Sequence, residues 1–268
     1  MALISVWLRR FAEARVHIEE AIRCAHETEN ALIESGVHLW WTMLLDALGD
    51  YKQADVINDA YPTLTTEWSL IQHRVYHWVL RGQIAYHRGD PQAAVQSADR
   101  ALAVIEDAGG PRMQGWLPWT QTSALIVRAH ARVATDNLDA AVDDYRDALS
   151  IKIVAGPRTV AVDARAGLAR VAMRKGNLAR AMDTVEAILN VLADRSLDGA
   201  MEPLRIRLTC IRVLDAAGDP RADEILETAH SLLMARAKGI EDETHRLSYL
   251  GNVQAHREIR RLWAARDR

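Results

Sequence analysis

Arg88-Gly89-Asp90-Pro91-Gln92-Ala93-Ala94 is the stretch whose reading decides the fold. Glycine adopts the left-handed backbone at little cost, so it ends a helix well. The Asp that follows offers a side-chain oxygen to cap the next helix, and Pro91 stands at the first helical position, where a missing N–H is no loss. The stretch therefore reads as helix, tight turn, helix. The same turn recurs as Leu48-Gly49-Asp50-Tyr51-Lys52-Gln53-Ala54, Thr135-Asp136-Asn137-Leu138-Asp139-Ala140-Ala141, Lys175-Gly176-Asn177-Leu178-Ala179-Arg180-Ala181 and Ala217-Gly218-Asp219-Pro220-Arg221-Ala222. Between Asp50, Asp90, Asn137, Asn177 and Asp219 the steps are 40, 47, 40 and 42 residues. A further copy, Arg10-Phe11-Ala12-Glu13-Ala14, has its Phe11 40 residues before Tyr51. An unpatterned helical bundle does not produce such turns at near-constant spacing.

After the turns, small residues recur at helical spacing, as in Ala94, Ala98 and Ala101 or Ala141, Tyr145 and Ala148. Such a stripe lets two helices approach closely. Helices are expected at 2–29, 31–48, 51–60, 66–88, 91–107, 118–135, 138–153, 158–175, 178–193, 201–216, 221–238 and 241–265. The Gly/Pro-rich segment 107–118 accounts for the one long step and is the only hinge expected in a single repeat domain over 1–268. The array is expected to be extended, with residues near 20 remote from those near 230.

Composition excludes other classes. With 33 Lys and Arg against 36 Asp and Glu the net charge is −3, so no chain-wide basic surface exists and direct nucleic-acid binding is not expected. The chain is 49% apolar and 26% charged, ordinary for a globular protein, and no apolar run reaches membrane-span length. Its two cysteines, Cys24 and Cys210, lack metal-ligand spacing and read as buried, reduced thiols. No secretory signal opens the sequence, and a cytoplasmic protein is expected.

These turns and small residues resemble the tetratricopeptide repeat. Trp78, Gly82, Tyr86, Gly89, Asp90, Ala94, Ala98 and Ala101 make the best copy, with Tyr86 one place off and a period near 40 instead of the family's 34. The resemblance implies an all-α fold, a right-handed superhelix (α-solenoid) of about six helical hairpins. Near the far end, 202–222 and 246–259 resemble the closing segment of the repeat region in large bacterial signalling ATPases of the STAND/AAA type and related transcriptional regulators. That family has Phe, Glu and Pro where this chain has Tyr249, Gly251 and Gln254. No Gly-x-x-x-x-Gly-Lys-Ser/Thr phosphate loop occurs, so any ATPase module lies outside these residues.

Several residues invite chemistry. His73 and His77 are four apart on one helical face, but the Glu of His-Glu-x-x-His is absent, and His87 lies about 15 Å further along, so no metal is expected. Asp136, Asp139, Asp143 and Asp147 form an acidic stripe that reads as a solvated face, with Asp136 as a cap. Eight Trp against one Phe suggests large core fillers at Trp40, Trp41, Trp116 and Trp119, with aromatic anchors for a partner as the alternative, and Trp263 in an Arg-rich terminal helix is the better surface candidate. The first helix carries Val6, Phe11, Ala14, Ile18 and Ile22 on one stripe without an upstream partner. Upstream residues or a second copy of the chain, a homo-oligomer through 1–29, are the two covers expected, the first being favoured.

In tetratricopeptide arrays one stripe of the first helix of each hairpin lines the concave groove. Aligned by their turns, the matching positions here are Met43, Gln83, His130, Arg170 and Arg212, with His87 and Arg174 one turn later and Tyr76, Ser123, Asp163 and Arg205 two turns earlier. The partner-binding groove is thus expected at Gln83, His87, His130, Arg170, Arg174, Arg205 and Arg212, running from apolar to cationic. Arg presents a planar fork matched to carboxylate or phosphate, so the expected partner is a protein or peptide with anionic character. No nucleophile–base pair is legible, and no catalytic residue, cofactor or metal is expected.

Overall fold

The computed structural model describes all residues except 61–70, 110–116, 154, 195 and 267–268, together with the side chains of 31, 32 and 194. The described residues form fourteen helices and no strand. They are α1 (Ala2–Trp7), α2 (Phe11–Thr28), α3 (Ala31–Ala47), α4 (Tyr51–Asp59), α5 (Ile71–His87), α6 (Pro91–Asp107), α7 (Leu117–Ala134), α8 (Leu138–Ser150), α9 (Val160–Arg174), α10 (Leu178–Asp194), α11 (Pro203–Ala216), α12 (Arg221–Lys238), α13 (Glu243–Gly251) and α14 (Gln254–Arg266). This is a helical-repeat solenoid.

The turns form as their chemistry demands. Gly49, Gly89, Gly176 and Gly218 have φ of 76°, 85°, 71° and 68°. Asp50, Asp90 and Asn177 accept the capping N–H of Gln53, Ala93 and Arg180 at 3.1, 2.9 and 3.0 Å. Asp136 is not a cap. It occupies the left-handed position that Gly holds elsewhere, with φ of 62°, and Asn137 is the N-cap residue. The rest of the acidic stripe is exposed, as a solvated face requires.

Ala94, Ala98, Ala101, Ala141, Tyr145 and Ala148 are all buried at the helix contacts. The first helices α3, α5, α7, α9 and α11 pack side by side, each against its own second helix, which is the geometry of a repeat array. Trp119 is buried against Trp7 and Tyr76, while Trp40 and Trp41 pack partly buried on the core. Trp263 is half-buried, stacked on His230. Cys210 is buried, but Cys24 is exposed. Of the expected hinge 107–118, Asp107 ends α6 and Leu117 and Pro118 begin α7, whereas 110–116 lie outside the described residues, as does Trp116.

Two expected helices are broken, and one of the breaks changes the architecture. The helix expected over 2–29 splits at its own turn copy, with Arg9 in the left-handed region at φ 56°. That over 241–265 splits at Asn252 and Val253. The first break swings α1 onto the inner side of the array, where Trp7 meets Trp119 with ring centroids 5.5 Å apart.

The expected extended array and bare first helix are both overturned. Val6, Phe11, Ala14 and Ile18 are at most 6% exposed and share one core with Leu226, Ala229, Leu233, Tyr249 and Ile259. Phe11 packs edge-on against Tyr249 at 5.5 Å. Asn252 Nδ2 donates to the Gly49 carbonyl at 3.0 Å, and Arg9 Nη2 donates to the Met201 carbonyl at 2.7 Å. Phe11 at the start of α2 thus meets α13, and the two ends of the array share one apolar core. Residues of the chain itself thereby cover the stripe for which upstream residues, or a homo-oligomer through 1–29, were the expected covers.

Candidate functional site

Closure leaves a cleft of about 630 Å³ on the inner side. One wall comes from the hairpin turns, with Tyr51, Tyr86, His87 and Gly89, and the other from α9, α11 and the start of α14. Of the seven residues expected in the groove, His87, Arg170, Arg174, Arg205 and Arg212 line this cleft. Gln83 does not; it lines the neighbouring small cavity of about 40 Å³ and donates to Asp46 at 2.6 Å. Nor does His130, which is buried behind the wall.

The apolar end of the expected groove is not open. Met43 and Tyr76 face a cavity of about 30 Å³ shared with Val6, Trp7 and the 199–201 segment, which together fill the inner face. Ser123 is buried and bonded to the Trp119 carbonyl. Asp163 is buried and accepts the N–H groups of Met201 and Glu202 at 2.9 and 3.1 Å, holding that segment in place. Burial raises the Asp163 pKa to about 7, those two N–H groups working against it.

At the floor of the cleft stands a charged network absent from the sequence-based reading. Glu202 bonds Arg205 at 2.5 Å and faces His87 Nε2 at 3.4 Å, while His87 Nδ1 reaches Asp46 at 2.8 Å. Burial by itself would lower the His87 pKa, yet Asp46 and Glu202 overcome it and raise the value to about 10, so the ring is an imidazolium between two carboxylates. Burial likewise opposes the charge on Glu202, but Arg205 and His87 hold its pKa well below the carboxylate range. Arg205 also lies 5.0 Å from the Tyr86 ring centroid and donates to the Tyr86 hydroxyl at 2.5 Å. His130 is the opposite case: burial first, then Arg205 and Arg170, hold it neutral. The Tyr145 hydroxyl lies 2.6 Å from His130 Nδ1. Gly167 makes room for Tyr145, since a Cβ there would come within 2.2 Å of the ring.

Most cations of the cleft are already paired. Arg174 bonds Asp136 at 2.9 Å and Arg212 bonds Glu258 at 3.1 Å. Two are not. Arg170 donates to the Thr209 hydroxyl at 2.9 Å, and its Nε is buried without an acceptor. Arg257 donates only to the carbonyls of Gly251 and Asn252, at 3.0 and 3.1 Å. Neither has a carboxylate partner among the described residues, and burial lowers the Arg170 pKa. An anionic group entering the cleft meets two guanidinium groups with unspent donors.

His73 and His77 bond Ser35 and Asn58, at 2.8 and 3.1 Å, and no cluster among the described residues has the makings of a metal site. No described helix is long and apolar enough to cross a membrane.

No family model matches the chain, and no curated protein matches it. Solved structures do. The chain is similar to a Rap protein crystallised in complex with competence and sporulation factor, with a TM-score of 0.62 and 13% identity over 98% of this chain and 74% of that one. It is also similar to BtubC (BKLC) from P. vanneervenii, with a TM-score of 0.57 and 15% identity over 88% of this chain and 94% of that one. At these identities the likeness is one of fold.

Proposed function

We propose that this chain is a non-enzymatic binding scaffold whose inner cleft receives an anionic segment of a peptide or protein. The observation that carries the reading is the pair Arg170 and Arg257, two guanidinium groups left without carboxylates in a cleft where every other cation has one. A repeat array presents residues about 40 apart in sequence along one strip, which suits an extended ligand better than a compact substrate. The Rap protein with its bound factor supports the same use of the fold. Both His87 nitrogens face carboxylates, so this ring offers no free base.

The finer reading places this scaffold in a bacterial signal-transduction ATPase or transcriptional regulator of the cytoplasm, reporting ligand binding to a nucleotide switch. It rests on the resemblance of 202–222 and 246–259 to the closing segment in those proteins. A free-standing peptide receptor or assembly adaptor is the alternative, favoured by the closure of the array on itself, which lines the cleft with residues from both ends of the array.

The test is an array of acidic, neutral and basic peptides probed with the purified chain and with an Arg170→Met, Arg257→Met variant. Acidic peptides should dominate, and their signal should fall with salt and be lost in the variant. Equal binding of the same peptides by both proteins overturns the reading.

A further inference from the structure

Arg205 and Arg207 are two residues apart on α11 and therefore point to nearly opposite sides of the helix. Arg205 faces the cleft. Arg207 faces a separate pocket of about 610 Å³, where α10, α11 and α12 meet Leu8 at the end of α1. We propose that this second pocket binds a small monocarboxylate with a short aliphatic chain.

Three observations carry this. First, Arg207 has no hydrogen bond or ion pair among the described residues, and its Nε is withdrawn from solvent without an acceptor. Unlike Arg170, which keeps the Thr209 hydroxyl, it has nothing at all. A guanidinium that keeps its Nε–H out of water without an acceptor leaves a donor that an anion from outside takes up. Second, the charge balance is off by one. Arg236 lines the same pocket and takes the Asp198 carboxylate at 3.2 Å, so among the described side chains of the lining two cations share one anion. Burial, and after it Arg236, push the Arg207 pKa down. One further negative charge balances the site, and a carboxylate fits the planar edge of a guanidinium. Third, Leu8, Leu192, Leu197 and Leu232 stand among the polar groups of the lining, Ser196 and Asp198 included, and give a short aliphatic tail a place beside the charged end. The volume lies in the range of small-molecule sites.

The probe is sodium hexanoate, followed by calorimetry and thermal unfolding of the full chain. Hexanoate should bind at millimolar concentration and raise the melting temperature. Acetate, with the charge but no chain, should bind at least about tenfold more weakly, as loss of four buried methylenes demands. Arg207→Met should abolish binding. If that variant does not fold, Ala193→Glu at the exposed edge of the pocket supplies a carboxylate from within the chain and should abolish it equally. Because the inner cleft is also cationic, each measurement is repeated in the Arg170→Met, Arg257→Met background, where the heat should persist. Heat lost with the cleft variants, binding unchanged by Arg207→Met or Ala193→Glu, or acetate and inorganic phosphate binding as tightly as hexanoate would each overturn the proposal. So would the absence of binding by the unmodified chain.

Discussion

Gly49 and Gly176 hold the same position in the turns of two different hairpins, with φ of 76° and 71°, yet their surroundings differ completely. A Cβ on Gly176 would meet nothing within 4 Å, whereas one on Gly49 would lie 2.8 Å from the Ser248 carbonyl oxygen. Gly89 and Gly218 resemble Gly176 in this. The difference shows that two sets of contacts hold this molecule. One is local, made within and between neighbouring hairpins and written into each turn. The other spans the chain: Gly49 against α13, Phe11 against Tyr249, Arg9 against Met201, and His87 and Tyr86 against Glu202 and Arg205. Only the second set closes the array and shapes the cleft.

Raising the pH should separate the two sets most strongly. The folded pKa of His87, about 10, lies above its ordinary 6.5, so its contribution to stability is complete below pH 6.5 and is lost as pH rises through about 10. Asp163 acts in the same direction at lower pH: with its value raised from 3.8 to about 7, the native state holds a proton that the unfolded chain has released, and stability falls across that interval. Loss of the imidazolium leaves Asp46 and Glu202 facing each other, at a cost of about 3–5 kcal/mol. The urea midpoint should therefore fall between pH 6.5 and 10, and Glu202→Gln should flatten the slope. A flat profile in the unmodified chain would mean that the central network does not tie the array together.

Phe11→Ala attacks the seam without touching charge. Removing this buried ring should cost about 3–5 kcal/mol. Hydrogen exchange should then quicken first in α13 and α14, while α5 and α6 keep their protection. Uniform quickening would show that seam and repeats unfold as one unit. Next in size is the glycine pair itself: Gly176→Ala should cost about 1 kcal/mol from left-handed strain, and Gly49→Ala about 2–3 kcal/mol, strain plus displaced α13 backbone. Equal losses, measured by urea unfolding, would erase the contrast between the two turns.

The local set was legible in the sequence and the long-range set was not, for a physical reason. Gly-Asp-Pro at 89–91 fixes its turn by dihedral preference and capping, which need no distant residue. The stripe on α2 announced that something must cover it, but its complement lies more than 200 residues away, in Tyr249 and Ile259, where it reads only as another amphipathic helix. The groove fared likewise. Helical register brought His87, Arg170, Arg174, Arg205 and Arg212 to one cleft, whereas Gln83 is taken up by Asp46 beside the 199–201 segment and His130 is buried among Tyr86, Tyr145 and Arg170. Glu202 was missed because an acid just before Pro203 looks like a helix start. Arg257 was missed because a terminal Arg-rich helix looks like solvent-facing charge.

The smallest expected effect tests the seam at a single atom pair. Asn252 follows α13, and its side-chain amide donates to the Gly49 carbonyl at 3.0 Å, which joins the first full hairpin turn to the break between the last two helices. Asn252→Ala removes one hydrogen bond whose carbonyl partner is part-buried, so about 1 kcal/mol should be lost. The same residue lines the cleft beside Arg257, whose guanidinium grips the Asn252 carbonyl. Loosening the side chain should therefore let Arg257 wander and weaken an acidic peptide bound in the cleft, whereas Asn177→Ala, which removes a capping bond of similar size at a repeat turn remote from Arg257, should cost the same stability and leave that peptide's affinity unchanged. If both variants weaken the peptide alike, affinity follows global stability, and the seam has no special hold on the cleft.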